Sequence, residues 1–171
     1  GGGGMIITNN ADIAKRAKHI TTTAKVPHPY EFVHDEIGYN YRLPNLNAAL
    51  GCAQMECLDV FLNVKTKIAN QWRKFFDAHD INFCDAKEGN RANYWLNAII
   101  LNSSEERDKF LQFTNDNGVM TRPIWKLMSQ LIMFKNCYND GLKNSLWLQD
   151  RVVNIPSSVP EGLLESIGQS K

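Results

Sequence analysis

Gly38-Tyr39-Asn40-Tyr41-Arg42-Leu43-Pro44, followed by Asn45-Leu46-Asn47-Ala48-Ala49-Leu50-Gly51 and Gln54, reads as a loop that runs into a helix. Gly38 and Pro44 rule out a long helix or central strand before Asn45. From there apolar residues recur at Leu46, Leu50, Ala53, Cys57, Phe61, Val64, Ile68, Trp72 and Phe75. Every step is three or four residues, which predicts a helix to about His79. A helix this long predicts a kink near Leu58–Asn63. Its first part is rich in small residues (Ala48, Ala49, Gly51, Ala53), which lets another backbone approach closely. In the loop, Asn40 offers an amide and Arg42 a planar fork suited to phosphate or carboxylate.

Upstream, residues 21–45 carry Pro27, Pro29 and Gly38 among His28, Tyr30, Phe32, His34, Asp35, Glu36, Tyr39 and Tyr41. A loop of about 25 residues without its own regular structure is uncommon and usually functional or disordered. Its aromatic content argues for a positioned binding loop. Asn9 and Asn10 can cap a helix over about 11–20. Asp12 stands in its first turn, and Lys15, Arg16, Lys18 and His19 gather toward its end, the order that a helix dipole favours. The basic cluster therefore reads as a solvated face, with Ile13, Ala17 and Ile20 as the buried stripe. Residues 5–8 read as a short buried strand.

Downstream the pattern is α+β. Ile81–Cys84 and Tyr94–Leu101 are strand candidates, and Ser103 with Glu106 forms a capping box for a helix over 104–117. Asn117-Gly118 ends that helix. Val119–Pro123 reads as extended, 127–150 as one or two short helices, and Val152–Ile155 as a last strand.

With 171 residues and 43% apolar content the chain can build a real core. A net charge of +1 gives no ground for a nucleic-acid or acidic-membrane partner. No apolar run approaches the roughly 18 residues of a membrane span. Cys52, Cys57, Cys84 and Cys137 form no CxxC pair and no metal-finger spacing. They read as reduced thiols acting mostly as small apolar residues, no metal site is expected, and without a signal peptide the expected location is cytoplasmic.

Taken in order, several segments resemble the DegT/DnrJ/EryC1/StrS family of sugar aminotransferases. They are the Gly3-Gly4-Met5-Ile6-Ile7-Thr8-Asn9 start, His34, the Gly38-x-Asn40-Tyr41-Arg42-Leu43 run, the Ala48-Ala49-Leu50-Gly51-x-x-Gln54 helix and Asn117-Gly118-Val119-x-x-Arg122-Pro123. The resemblance implies pyridoxal 5'-phosphate as cofactor and an α/β fold. The chain is then expected to be the C-terminal part of a type I aminotransferase. Residues 1–58 would be the end of the large domain and 59–171 a small α+β domain. The family's Schiff-base lysine is expected ahead of Gly1, so no catalytic residue is assigned within the chain.

The resemblance further implies that Asn40 reaches the cofactor phosphate of the other subunit in a homodimer with shared active sites. Arg42 is expected near the amino donor's carboxylate or a sugar nucleotide's diphosphate. His34 either touches substrate or bonds to nearby backbone. Arg122 and Trp125, with Thr121 and Lys126 beside them, form a second cluster: Arg122 could meet a diphosphate or pair with an acid, and Trp125 could stack on a sugar or uracil face or pack in the core. The implied reaction moves an amino group from a donor such as glutamate to a nucleotide-linked keto-deoxy-sugar. The 22–28 and 34–42 segments resemble the subgroup acting on UDP-linked sugars for bacterial surface glycans. The alternatives are a non-catalytic binding or dimerisation module, or a relative without the lysine.

Overall fold

A computed structural model of the chain describes residues 2–160 and 162. They fall into two compact units, Gly1–Cys57 and Leu58–Lys171.

In the first unit, helix α1 spans Ala11–Thr21. The Asn10 Oδ1 accepts from the backbone N–H groups of Asp12 and Ile13 at 2.9 and 3.1 Å, which satisfies two of the four free donors at the helix start. Ala17 and Ile20 are half-buried, but Ile13 is exposed, so the buried stripe is a turn shorter than its spacing suggests. Met5, Ile6 and Ile7 are likewise exposed and form no strand. A strand needs a partner ladder for its backbone groups, and none of the described residues supplies one.

Helix α2 spans Asn45–Asp77 without a break. The expected interruption near Leu58–Asn63 is absent because that stretch contains neither proline nor glycine to break the hydrogen-bond ladder.

In the second unit, four short strands form an antiparallel sheet. They are β1 (Asn82–Phe83), β2 (Asn97–Ile100), β3 (Arg122–Pro123) and β4 (Val152–Ile155), in the order β1-β2-β4-β3. β2 and β4 make the longest ladder, with Ile99 opposite Val153. Helix α3, Ser104–Asp116, starts on Ser103, whose Oγ accepts from the Glu106 backbone N–H at 3.1 Å. The Glu106 carboxylate accepts in return from the Asn102 backbone N–H at 2.9 Å. Gly118 follows the helix at φ 76°, the left-handed geometry that glycine adopts freely. Two 3-10 turns at Met128–Gln130 and Ile132–Phe134 precede helix α4, Lys143–Gln149.

Phe76 of α2, Ile99 and Leu101 at β2, and Val153 and Ile155 of β4 form the core, with Trp72, Phe110 and Leu111 packed against it. Each such side chain, once buried, stabilises the unit by roughly 1.5–3 kcal/mol. Near the end of α2, Phe76 is buried, whereas Phe75, one of the periodic apolar residues, is half exposed. The cysteines are free, but Cys52, Cys84 and Cys137 are exposed rather than packed as small apolar residues. Among the described residues no helix is long and apolar enough to cross a membrane.

Candidate active site

The loop that follows α1 is sewn to the end of that helix by backbone bonds. Tyr39 N–H donates to Ile20 O at 2.7 Å, Thr23 N–H to Tyr39 O at 3.0 Å, and Tyr41 N–H to Thr21 O at 2.9 Å. Further out, Val26 N–H donates to Val33 O at 2.9 Å and Asp35 N–H to Ala24 O at 3.3 Å. Thr23 and Ala24 hold φ values of 71° and 49°, a left-handed conformation that side-chain-bearing residues adopt at a cost. Gly38 lies directly against this turn. A Cβ on it would stand 2.4 Å from both the Ala24 nitrogen and the Thr23 carbonyl carbon. Only glycine permits that approach.

The turn brings three of the expected residues together. His34 Nδ1 donates to the Thr23 carbonyl at 2.6 Å, so one ring nitrogen is committed to the backbone. Arg42 donates from Nη2 to the Thr22 carbonyl at 3.3 Å and from Nη1 to Asn40 Oδ1 at 3.4 Å. Asn40's oxygen is thereby engaged, and its Nδ2 has no partner among the described residues. The pair therefore presents donors outward, the polarity that a phosphate or carboxylate requires. Arg42 also lines a shallow hollow of about 560 Å³ with Thr22, Lys25, Pro27, His28 and Pro29. Neither Arg42 nor Lys25 has a carboxylate partner among the described residues. Lys25 is an addition that the sequence pattern did not single out, because its approach to Arg42 depends on the fold of the loop; His28, named in the sequence as part of the loop, lines the same hollow.

A second set of charges fixes the loop to α1. Arg16 forms a bidentate pair with Glu36, and His19 Nε2 donates to Asp35 Oδ1 at 2.7 Å. The hydrogen bond from His19 holds the Asp35 carboxyl below the usual carboxylate range. The hydrogen bond from Arg16 does the same for Glu36, and Glu36 in turn raises the pKa of Arg16. His19, Asp35 and Glu36 bring ligand atoms within 4.8 Å of one another, but Arg16 already occupies both Glu36 oxygens. The solvated basic face of α1 is thus in part an anchor for the loop.

The other two candidates lie in the Leu58–Lys171 unit. Thr121 is buried, and its Oγ1 lies 2.5 Å from that of Thr114, so it is structural. Arg122 meets no acid among the described residues; its Nη2 lies 3.7 Å from the Met120 sulfur. Trp125 is not a core residue, since 68% of it is exposed. Arg122 and Trp125 share one cleft, which also includes Ser157. The Ser157 region is anchored at several atoms. Trp72 Nε1 donates to Pro156 O at 2.9 Å, and Lys65 Nζ donates to Ser157 O at 2.7 Å. Partial burial lowers the Lys65 pKa, while carbonyls of Tyr94 and Ser157 accept from its ammonium group.

The profile of the DegT/DnrJ/EryC1/StrS aminotransferase family matches residues 1–161. The GDP-perosamine synthase of Escherichia coli O157:H7 is 31% identical over 92% of this chain and 42% of its own length. That of Vibrio cholerae is 30% identical over 92% and 43%. The chain thus spans less than half the length of these relatives. Among solved structures, the Helicobacter pylori aminotransferase PseC, involved in the biosynthesis of pseudoaminic acid, superposes with a TM-score of 0.79. It is 15% identical, and the match covers 95% of this chain and 46% of that one. A Brucella abortus DegT DnrJ EryC1 StrS aminotransferase gives 0.75 at 22% identity over 94% and 43%. At these identities the structural likeness establishes the fold.

Proposed function

This chain belongs to the DegT/DnrJ/EryC1/StrS aminotransferase family, and we propose that it forms part of an enzyme that transfers an amino group to a nucleotide-linked keto-deoxy-sugar. The observation that carries this reading is the donor-only presentation of Asn40 and Arg42 beside the strained Thr23–Ala24 turn. The cofactor is pyridoxal 5'-phosphate, which when bound supplies the electron sink for amino transfer.

The chain's residues fit the phosphate end of that group. Asn40 would hold a phosphate oxygen through Nδ2, since its Oδ1 is taken by Arg42. A neutral amide adds a bond to the anion without burying a further charge. Asn40 does this from a second subunit of a homodimer. Arg42, with Lys25 and His28 along the same hollow, attracts and orients the anionic part of the amino donor or the sugar nucleotide. His34 acts chiefly through its bond to Thr23, holding the turn on which Asn40 and Arg42 depend. In the second unit Arg122 and Trp125 face the substrate. The proposed setting is the cytoplasm and the pathway surface-glycan synthesis.

The subgroup resemblance of the loop favours a uridine-linked sugar. Two relatives, at 31% and 30% identity, are GDP-perosamine synthases, and this favours guanosine. We adopt the guanosine form, because those likenesses extend over 92% of the chain rather than over one loop. The test is a coupled assay of the protein that carries this chain at its natural length, with glutamate and either a GDP- or a UDP-linked keto-deoxy-sugar. Amino-sugar nucleotide should form in step with 2-oxoglutarate, faster from the GDP sugar. Absence of product from both would remove the reading.

A further inference from the structure

Asp35 and Glu36 are neighbours in the chain, and adjacent side chains in an extended segment ordinarily point apart. Here a bend at 35–36 turns both carboxylates toward α1. Arg16 takes Glu36 with both nitrogens of its fork, Nη1 on Oε1 and Nη2 on Oε2. His19 Nε2 donates to Asp35 Oδ1 at 2.7 Å and lies 3.4 Å from Glu36 Oε1, so one imidazole serves both acids. Arg16 and His19 stand one turn apart on the same face of α1. The four side chains form a single clasp between the helix and the returning limb of the loop.

Stability alone is a poor reason for this arrangement. The Arg16 and Glu36 side chains keep 58% and 31% of their surface in water, and pairs exposed to that degree add little to folding. The position of the clasp in the loop is more telling. Just before it, His34 is bonded to the Thr23 carbonyl. Just after it, Gly38 lies against the Thr23–Ala24 turn, and the Tyr39 and Tyr41 amides donate to Ile20 and Thr21. Asn40 lies between those two tyrosines, paired with Thr22 in an antiparallel bridge. The chain from Glu36 to Asn40 therefore has no slack: Gly38 cannot move toward the turn, and movement away breaks the tyrosine bonds. The bond from Arg16 holds the Glu36 carboxyl below its ordinary range, against the charge of Asp35, which pushes the other way. Without Arg16, that repulsion between neighbouring acids acts to open the bend.

We propose that Arg16, His19, Asp35 and Glu36 are positioning residues for the cofactor phosphate: the clasp fixes where Asn40 Nδ2 points, and Arg16–Glu36 is its dominant pair. Each of the four acts through Asn40, so the proposal rests on the reading above in which Asn40 holds that phosphate. Positioning has a signature that plain charge attraction lacks. Arg16 is a cation and Glu36 an anion, so at long range their losses would shift the affinity for an anion in opposite directions. A positioning pair weakens binding whichever member is removed.

Pyridoxal 5'-phosphate is titrated into the natural-length protein carrying this chain, and amide exchange at Tyr39 and Tyr41 is followed in the same variants. Arg16→Gln and Glu36→Gln should each weaken cofactor binding by about three- to ten-fold and quicken exchange at both amides. His19→Gln and Asp35→Asn should do the same by a smaller factor. Arg16→Lys, which keeps the charge and loses the fork, should fall between wild type and Arg16→Gln. In an Asn40→Ala background the two glutamine substitutions should change cofactor affinity by less than about two-fold, because the group through which they act is gone. Glu36→Gln keeps the shape of its side chain and serves if Arg16→Gln does not fold. Unchanged affinity in both glutamine variants, opposite shifts in the two, or losses that add in full to that of Asn40→Ala overturn the proposal. A loss in Asn40→Ala with none in the clasp variants removes the clasp's role alone and leaves the phosphate reading standing. Wild-type affinity in Asn40→Ala removes the phosphate reading, and the proposal falls with it.

Discussion

Gly38→Ala puts the geometry of the loop to a direct test. The added methyl would stand 2.4 Å from the Ala24 nitrogen and the Thr23 carbonyl carbon and 2.9 Å from the Ala24 Cβ. The first two are backbone atoms already held in a left-handed turn, so they cannot yield as a flexible side chain would. Overpacking of this kind costs about 1–3 kcal/mol. Relief by moving the loop would stretch the bonds between Tyr39 and Thr23, Tyr39 and Ile20, and Tyr41 and Thr21, each worth about 0.5–1.5 kcal/mol net. Only part of the two costs is incurred together, which gives a local destabilisation of about 2–4 kcal/mol. Amide hydrogen exchange at Thr23, Tyr39 and Tyr41 reads it without relying on global unfolding. Protection should fall by roughly thirty- to several-hundred-fold at all three. Gly51→Ala is the control: a Cβ there meets nothing within 4 Å, and the helix interior should gain about 0.5–1 kcal/mol. Protection unchanged within a factor of about two in the Gly38→Ala variant, corresponding to under about 0.5 kcal/mol, would refute the argument that close approach at Gly38 fixes the loop.

The ion pairs of the loop give a pH dependence of known sign. Asp35 and Glu36 have folded-state pKa values below their ordinary ones, so their stabilising contribution is complete above the usual carboxylate range and is lost as pH falls through the depressed values. Exchange at the Asp35 and Val26 amides should quicken below about pH 4, and high salt should weaken the dependence because the pairs are accessible to solvent. Acid exchange that does not differ between wild type and an Arg16→Gln, His19→Gln double variant would contradict this. In the second unit, Phe76→Ala removes the central helix residue from the core and should cost about 3–5 kcal/mol, read as a lower urea midpoint of tryptophan fluorescence.

The sequence made the local signals legible. The Asn10 cap, the Ser103–Glu106 capping box and the Asn117-Gly118 stop each depend on groups within a few residues, and each stands where its pattern puts it. The periodic spacing also located α2, although its uninterrupted course required noting that Leu58–Asn63 lacks a helix breaker. What stayed hidden depends on distant partners. Met5–Ile7 has strand composition, but a strand exists only through a neighbour. Ile13 has the right spacing for a buried stripe, but nothing covers it. The site shows the same contrast. Asn40 and Arg42 are evident as residue types, whereas their mutual bond, the commitment of His34 to Thr23 and the approach of Lys25 to the hollow follow from the strained turn. Trp95 lay inside a strand pattern, and its exposure beside Trp125 came from the turn at Tyr94.

The measurement closest to the central claim is a titration of pyridoxal 5'-phosphate into the natural-length protein carrying this chain, for the wild type and for Asn40→Ala. A hydrogen bond to a charged acceptor is worth about 1.5–3 kcal/mol, so the account predicts that the variant binds the cofactor roughly ten- to a hundred-fold more weakly. Arg42→Lys in the same series should retain the cofactor within a few-fold and lose affinity for the sugar nucleotide or the amino donor, because lysine keeps the charge without the fork. Equal cofactor affinity in wild type and Asn40→Ala would contradict the account and remove the Asn40 loop from the active site.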